Sequence, residues 1–219
     1  MNKTALITGT GSGIGRAIAL LLLSEGYLVY GYSRHNTIKH SSFNFIKTDL
    51  SNLKSLKSIQ FPKLSDKQEV LLINNAATIG DIAPLHKKKD ADIIDEYTLN
   101  IVAPTLLSKQ FINTYTHQKK LLINIGSGAA NNPIPSWSTY CAAKSALDML
   151  TKAIAQEEHE NLIIYSVHPG IVDTNMQKKI RNSSSELFPL LDKFTAYFNN
   201  NELENVNIVA QKLYFIVQN

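Results

Sequence analysis

The stretch Thr4-Ala5-Leu6-Ile7-Thr8-Gly9-Thr10-Gly11-Ser12-Gly13-Ile14-Gly15 decides the fold. Its apolar start, Thr4 to Thr8, reads as a buried strand that runs straight into a glycine-rich turn. A helical pattern follows over Ile14 to Ser24, with Gly26 placed to stop it. Glycines let a backbone turn sharply and come close to an anion, which then meets the free N–H groups and positive end of the helix. The spacing is not GxGxxG. It is TGxxxGxG, carried by Thr8, Gly9, Gly13 and Gly15. The turn therefore predicts a phosphate-bearing ligand beside Gly9, Ser12, Gly13, Ile14 and Gly15.

Outward from this unit the pattern repeats. Leu28 to Tyr32, Phe43 to Ile46, Val70 to Ile73, Leu121 to Ile125 and Leu162 to Val167 read as further strands, several apolar on consecutive positions. Continuous apolarity predicts burial on both faces, as in a parallel sheet covered by helices. Ala91 to Thr116 is long enough for one or two helices, broken or bent near Pro104. Ser138 to Glu158 carries Ala142, Ala146, Leu147, Leu150 and Ile154 at helical spacing. Strand and helix alternating about six times predict an α/β, doubly wound parallel sheet of Rossmann type, one domain over residues 1–219. Residues 175–201 hold the apolar Leu187 to Phe198 between two polar breaks, and are expected to be an insertion forming a substrate loop.

Composition narrows the function classes. The 219 residues are 44% hydrophobic and 18% charged, which suits one domain with a real core and excludes a disordered chain. The one cysteine, Cys141, excludes a disulfide framework and a cysteine-rich metal site. A net charge of +4 without an arginine-rich run does not argue for nucleic acid. The longest unbroken apolar run, Ala17 to Leu23, is too short to span a bilayer, and no leader is expected ahead of Thr4. The expectation is a cytoplasmic protein with a small-molecule substrate, no nucleic acid, no membrane and no metal.

Four places beyond the glycine turn carry chemistry. The second strand ends Tyr32-Ser33-Arg34, where this fold meets an adenosine ribose. No acid stands there for a free 2′-hydroxyl; Arg34 offers a planar cation suited to a 2′-phosphate, so NADP(H) is the expected cofactor. Tyr140 and Lys144 lie four apart on a helix, about 40° from each other, and project from one face. An ammonium beside a phenol is expected to lower its pKa and make it a usable acid. Ser127, just after the strand Leu121 to Ile125, points a hydroxyl into the crevice where such folds bind ligands. Asn100 lies on the preceding helix, ahead of its bend.

Together these motifs resemble the short-chain dehydrogenase/reductase family over nearly the whole chain. Thr8 to Gly15 is similar to its cofactor turn; Asp49, in Thr48-Asp49-Leu50, to the acid beside the adenine; Asn74-Asn75-Ala76-Ala77 to its NNAG segment, with alanine for glycine. The resemblance implies Asn100, Ser127, Tyr140 and Lys144 as catalytic tetrad. It implies Gly9, Ser12, Gly13, Ile14, Gly15, Arg34, Asp49, Leu50, Asn75, Tyr140, Lys144, Val172 and Thr174 as cofactor contacts, and a homo-oligomer. In the family's NADP-preferring members a second basic residue often stands where this chain has Ser12, and a seventh strand usually follows the last helix; none is evident here. The segments Trp137 to Lys144 and Pro169 to Gln177 look most like sepiapterin reductases and bacterial reductases of aromatic 1,2-diketones. The C-terminal Asp with which the sepiapterin enzymes anchor a pterin has no counterpart in this sequence.

The resemblance implies an NADPH-dependent carbonyl reductase acting on a ketone or α-diketone. Tyr140 gives the proton, Ser127 holds the carbonyl oxygen, and Asn100 positions a water linked to Lys144. Alternatives are a pterin, a 3-oxoacyl thioester or a sugar as substrate, or a regulator that binds NADP without turnover; a complete tetrad argues against the last. Ser127, Trp137 and Tyr140 are the expected substrate contacts. Trp137 stands equally for a substrate wall and for loop packing. Cys141 and His168 read as structural, the run Lys87-Lys88-Lys89 as solvated, and Glu157, Glu158 and Glu160 as a solvent face.

Overall fold

The computed structural model describes residues 3–65 and 68–218. Its strands are β1 (Lys3–Thr8), β2 (Leu28–Ser33), β3 (Phe43–Lys47), β4 (Glu69–Asn74), β5 (Lys119–Ile125) and β6 (Leu162–Val167). All are parallel, in the order β3-β2-β1-β4-β5-β6, with Ile7 opposite Gly31 on one side and Ile73 on the other. Each expected strand is present, with its ends within two residues of those read from the sequence. The order reverses between β1 and β4, which leaves a crevice beyond the carboxyl ends of those two strands.

The helices are α1 (Gly13–Ser24), α2 (Leu53–Lys57), α3 (Asp90–Tyr97), α4 (Ala103–Thr114), α5 (Ser138–Gln156), α6 (Asn175–Arg181), α7 (Leu191–Asn199) and α8 (Val206–Gln218). One apolar layer joins Ile18 and Leu22 of α1 and Leu213 of α8 to Ala5, Ile7 and Ile73 of the sheet. The other joins Leu107 and Phe111 of α4 to Leu6, Leu72 and Leu122. Each such side chain, fully removed from water, contributes about 1.5–3 kcal/mol. The short α2 has no apolar periodicity to announce it. It starts at a local cap, the Asn52 side chain accepting from the Ser55 N–H at 3.0 Å.

The interruption expected near Pro104 lies just upstream of it, at Thr98–Val102, a π-helical turn between α3 and α4. Pro104 has no N–H to give to the carbonyl four residues back, that of Asn100, so the wide turn opens upstream of the proline. The Ala103 N–H instead reaches the Thr98 carbonyl. In α5, Ala142 and Ala146 are exposed. The buried stripe is Thr139, Tyr140, Ala143, Lys144, Leu147, Thr151 and Ile154, with polar residues where an apolar face was expected. Finally, β6 is not buried on both faces: it is an edge strand, with Ile163 and Tyr165 exposed. No seventh strand pairs with it among the described residues; residues 171–173 instead meet Glu204 in one parallel bridge.

Candidate active site

The expected site residues gather at the carboxyl ends of the strands. Gly9 and Gly13 have φ of +76° and +56°, a left-handed backbone that favours glycine. A Cβ on Gly15 would collide with the Asn75 amide and the Gly9 carbonyl. Asn75, just after β4, donates from its side chain to the Thr8 carbonyl at 2.9 Å, and its N–H reaches the Thr8 hydroxyl at 2.9 Å. The β4 end is thus fastened to the glycine turn. Ser12 stands at the N-cap of α1 without a side-chain hydrogen bond, and no acid lies in the first turn. The first-turn amides keep the positive end of the helix for an anion. This cradle fits the pyrophosphate of a nicotinamide dinucleotide.

Around the cradle, Thr174 at the start of α6 lies against Gly13, while Val172 is buried in the α1 and α8 layer. Arg34 is exposed at the end of β2 and faces Asp49. The Ser51 hydroxyl and N–H, with Arg34 beyond them, hold the Asp49 carboxyl below the usual carboxylate range. Leu50, which follows Asp49, buries its side chain among Tyr32 and Leu56 in the core. Two open grooves, one between α1 and α8 and one beside β3, are lined by none of the expected site residues.

Ser127 follows β5, and its hydroxyl hydrogen-bonds the Tyr140 phenol. Lys144, one turn after Tyr140, has its ammonium 2.6 Å from the Ile125 carbonyl and 5.8 Å from the Tyr140 ring centre. Both side chains lie on the buried stripe of α5, at 6% and 3% exposure. The expected drop in the Tyr140 pKa does not occur in this arrangement. Burial pushes the phenol up and outweighs the Ser127 hydrogen bond, so the group is protonated at neutral pH. Burial also pushes Lys144 down to about 8, against the pull of Asp148 one turn further on. Asp148 in turn accepts from the Ser166 hydroxyl at 2.5 Å and lies 2.7 Å from His168 Nε2.

Asn100 sits in the π-helical turn at 1% exposure, and its carboxamide is used within the protein. It accepts from the Thr78 N–H at 2.9 Å and donates to the Thr78 carbonyl at 2.8 Å. Its side chain therefore fixes the loop at Thr78. Trp137 is 5% exposed and stacked on Phe188 at 5.5 Å, with Phe194 at 5.0 Å and Tyr140 edge-on at 5.8 Å. Residues 175–201 fold as α6, a connecting segment and α7, and their aromatic side chains reach Tyr140 through Trp137.

In the lysine run, Lys87 and Lys89 are exposed as expected, and Lys88 is not. The Lys88 side chain is fully buried and paired with Glu96, itself 3% exposed. Its ammonium lies 3.1 Å from both Glu96 oxygens and 2.6 Å from the Thr139 hydroxyl, next to Tyr140 in the chain. Nothing in the sequence flagged this pair.

The model of the short chain dehydrogenase family matches residues 3–185. The benzil reductase, (S)-benzoin forming, of Bacillus subtilis is 36% identical, with 97% of this chain and 92% of that protein covered. The sepiapterin reductase of Rattus norvegicus is 30% identical, covering 97% and 90%. The crystal structure of KRED1-Pglu overlays with a TM-score of 0.84 at 21% identity, covering 95% of this chain and 91% of that one; it supports the fold. By the extent of these matches, and by a six-stranded parallel sheet flanked by helices, the chain belongs to the short chain dehydrogenase family, oxidoreductases of carbonyl and alcohol groups.

Proposed function

We propose that this protein is an NADPH-dependent carbonyl reductase that reduces one carbonyl of a small or aromatic α-diketone. The observation that carries the reading is a buried, protonated Tyr140 hydrogen-bonded to Ser127 at the end of β5. A reduced nicotinamide, when bound, supplies the hydride. Gly9, Ser12, Gly13, Ile14, Gly15, Asn75, Val172 and Thr174 surround its cradle, and Asp49 stands on the adenine side. Ser127 and Tyr140 hold the carbonyl oxygen, where a hydrogen-bond donor to developing charge is worth about 3–4 kcal/mol. Tyr140 then gives its phenolic proton to that oxygen, which completes the alcohol. Lys144, as an ammonium beside the resulting phenolate, stabilises it and leads the replacement proton back.

Arg34 supports NADP over NAD, because no acid at the end of β2 awaits a free ribose hydroxyl. The aromatic group Trp137, Phe188 and Phe194 beside Tyr140 supports a flat, apolar substrate, and residues 175–201 form its wall. The 36% identity to a benzil reductase points the same way. A pterin is the second reading, favoured by the 30% identity to a sepiapterin reductase. Steady-state rates with ketones, 1,2-diketones and sepiapterin, each with NADPH and NADH, test the reading. A 1,2-diketone with NADPH is expected to give the highest kcat/KM. Arg34→Ala is expected to raise the KM for NADPH about tenfold to a hundredfold, since one charge-assisted contact is worth about 1.5–3 kcal/mol. A higher kcat/KM for sepiapterin would restore the pterin reading.

A further inference from the structure

The buried pair Lys88–Glu96 has no place in the chemistry just described, yet it ends one residue from the proton donor. Its bonding is saturated. The three ammonium protons of Lys88 face three acceptors: both Glu96 oxygens at 3.1 Å and the Thr139 hydroxyl at 2.6 Å. Glu96 also accepts from the Thr139 hydroxyl and, at 2.8 Å, from the Asp81 N–H. A Cβ on Gly80 would collide with the Glu96 carboxylate, so the loop closes tightly over the acid.

Stability does not explain such a group. Taking two charges out of water costs about as much as their attraction returns, and apolar residues of the same volume do as well or better. A directional contact does fix position. The first turn of α5, which carries Tyr140, needs fixing: Trp137 at its N-cap makes no side-chain cap, and no acid stands in that turn. Thr139, buried beside Tyr140, is tied to α3 through Glu96 and to the loop through Lys88. Four residues beyond Glu96, Asn100 holds Thr78 at the other end of the same loop. Two buried polar residues, Glu96 and Asn100, thus staple one loop, and Glu96 alone extends the clamp to α5.

We propose that Lys88, Glu96 and Thr139 form a positioning clamp that sets the first turn of α5 and so holds the Tyr140 hydroxyl in register with Ser127. Proton transfer needs donor and acceptor within about 2.6–3.2 Å, and an ångström of misplacement costs on the order of 10²-fold in rate. The clamp acts on the proton step of the proposed carbonyl reduction, and the inference rests on that reading. It predicts an effect on kcat without one on cofactor binding, because none of the three residues belongs to the cradle.

The test is Thr139→Val, which keeps the shape and the Lys88–Glu96 pair but removes the hydroxyl, with Thr139→Ser as the conservative variant. With a reducible ketone and NADPH, Thr139→Val is expected to lower kcat at least about tenfold and to raise the solvent deuterium isotope effect on kcat. The NADPH dissociation constant stays at the wild-type value, the melting temperature falls by a few degrees as Lys88 and Glu96 each lose a partner, and Thr139→Ser recovers most of the rate and of the melting temperature. Amide hydrogen exchange, which needs neither substrate nor cofactor, should speed up at residues 139–142 in Thr139→Val and nowhere else. Unchanged kcat and isotope effect would overturn the clamp. A rate loss that merely follows weaker NADPH binding, or that appears without any rise in the isotope effect, would overturn it too. A wild type that reduces no carbonyl compound sinks the proposed reaction instead, and the exchange measurement then still decides whether the clamp orders the turn.

Discussion

Lys144 shows how one buried side chain links the site to the stability of the whole. Burial pushes its pKa from 10.5 down to about 8, so between those values the unfolded chain holds a proton that the folded protein lacks. The contribution of this one group to stability therefore rises with pH across that window, by about 3 kcal/mol. Tyr140 runs the other way: its raised pKa makes stability fall as pH climbs above 10. Urea unfolding of cofactor-free wild type and Lys144→Met at pH 8 and pH 9 isolates this rise as the difference between the two proteins; nearer pH 10 the tyrosines that burial holds protonated, Tyr27, Tyr32, Tyr115 and Tyr140, pull stability down in both. At this scale the sequence was readable where spacing carries the chemistry. Tyr140, Lys144, Ser127 and the glycines stand at their expected places on strand ends and helix face. The Tyr140 pKa was misjudged because burial depends on what α5 packs against, which spacing does not reveal. Lys88 was misjudged for the same reason: among three lysines in a row, only the partner across the loop, Glu96, decides which one is buried.

Elements place these residues, and their irregularities do so as much as their regular parts. Periodicity found α5 but put its buried face one step off, because Tyr140, Lys144 and Thr139 occupy positions that apolar residues would normally fill. Pro104 marked a disturbance in the long helical stretch, and the wide turn upstream of it puts Asn100 against Thr78. Between α3, the loop and α5 the clamp has an energetic signature of its own. Lys88→Met leaves the Glu96 carboxylate buried without its counter-ion, a loss of about 3–5 kcal/mol, whereas Lys88→Met combined with Glu96→Leu should recover most of it. Urea midpoints for the two single variants and the double variant measure this. A double variant no more stable than Lys88→Met would show that the site tolerates no apolar replacement.

For the molecule as a whole, the sheet order brings the glycine turn after β1 and Asn75 after β4 to one crevice, and β5 and α5 put Ser127, Tyr140 and Lys144 at its side. Alternating strands and helices made that architecture legible. The edge character of β6 was not, since its apolar sequence reads like that of a central strand. Residues 175–201 carry no motif, yet their Phe188 and Phe194 enclose Trp137 beside the proton donor. The central claim is that this crevice reduces a carbonyl with Tyr140 as the acid. Single-turnover oxidation of bound NADPH by a 1,2-diketone, in wild type and in Tyr140→Phe, tests it most directly. The account predicts that Tyr140→Phe still binds NADPH and loses about 10²–10⁴-fold in the rate of the reducing step. A variant that oxidises NADPH at nearly the wild-type rate would contradict it, because phenylalanine has no proton to give.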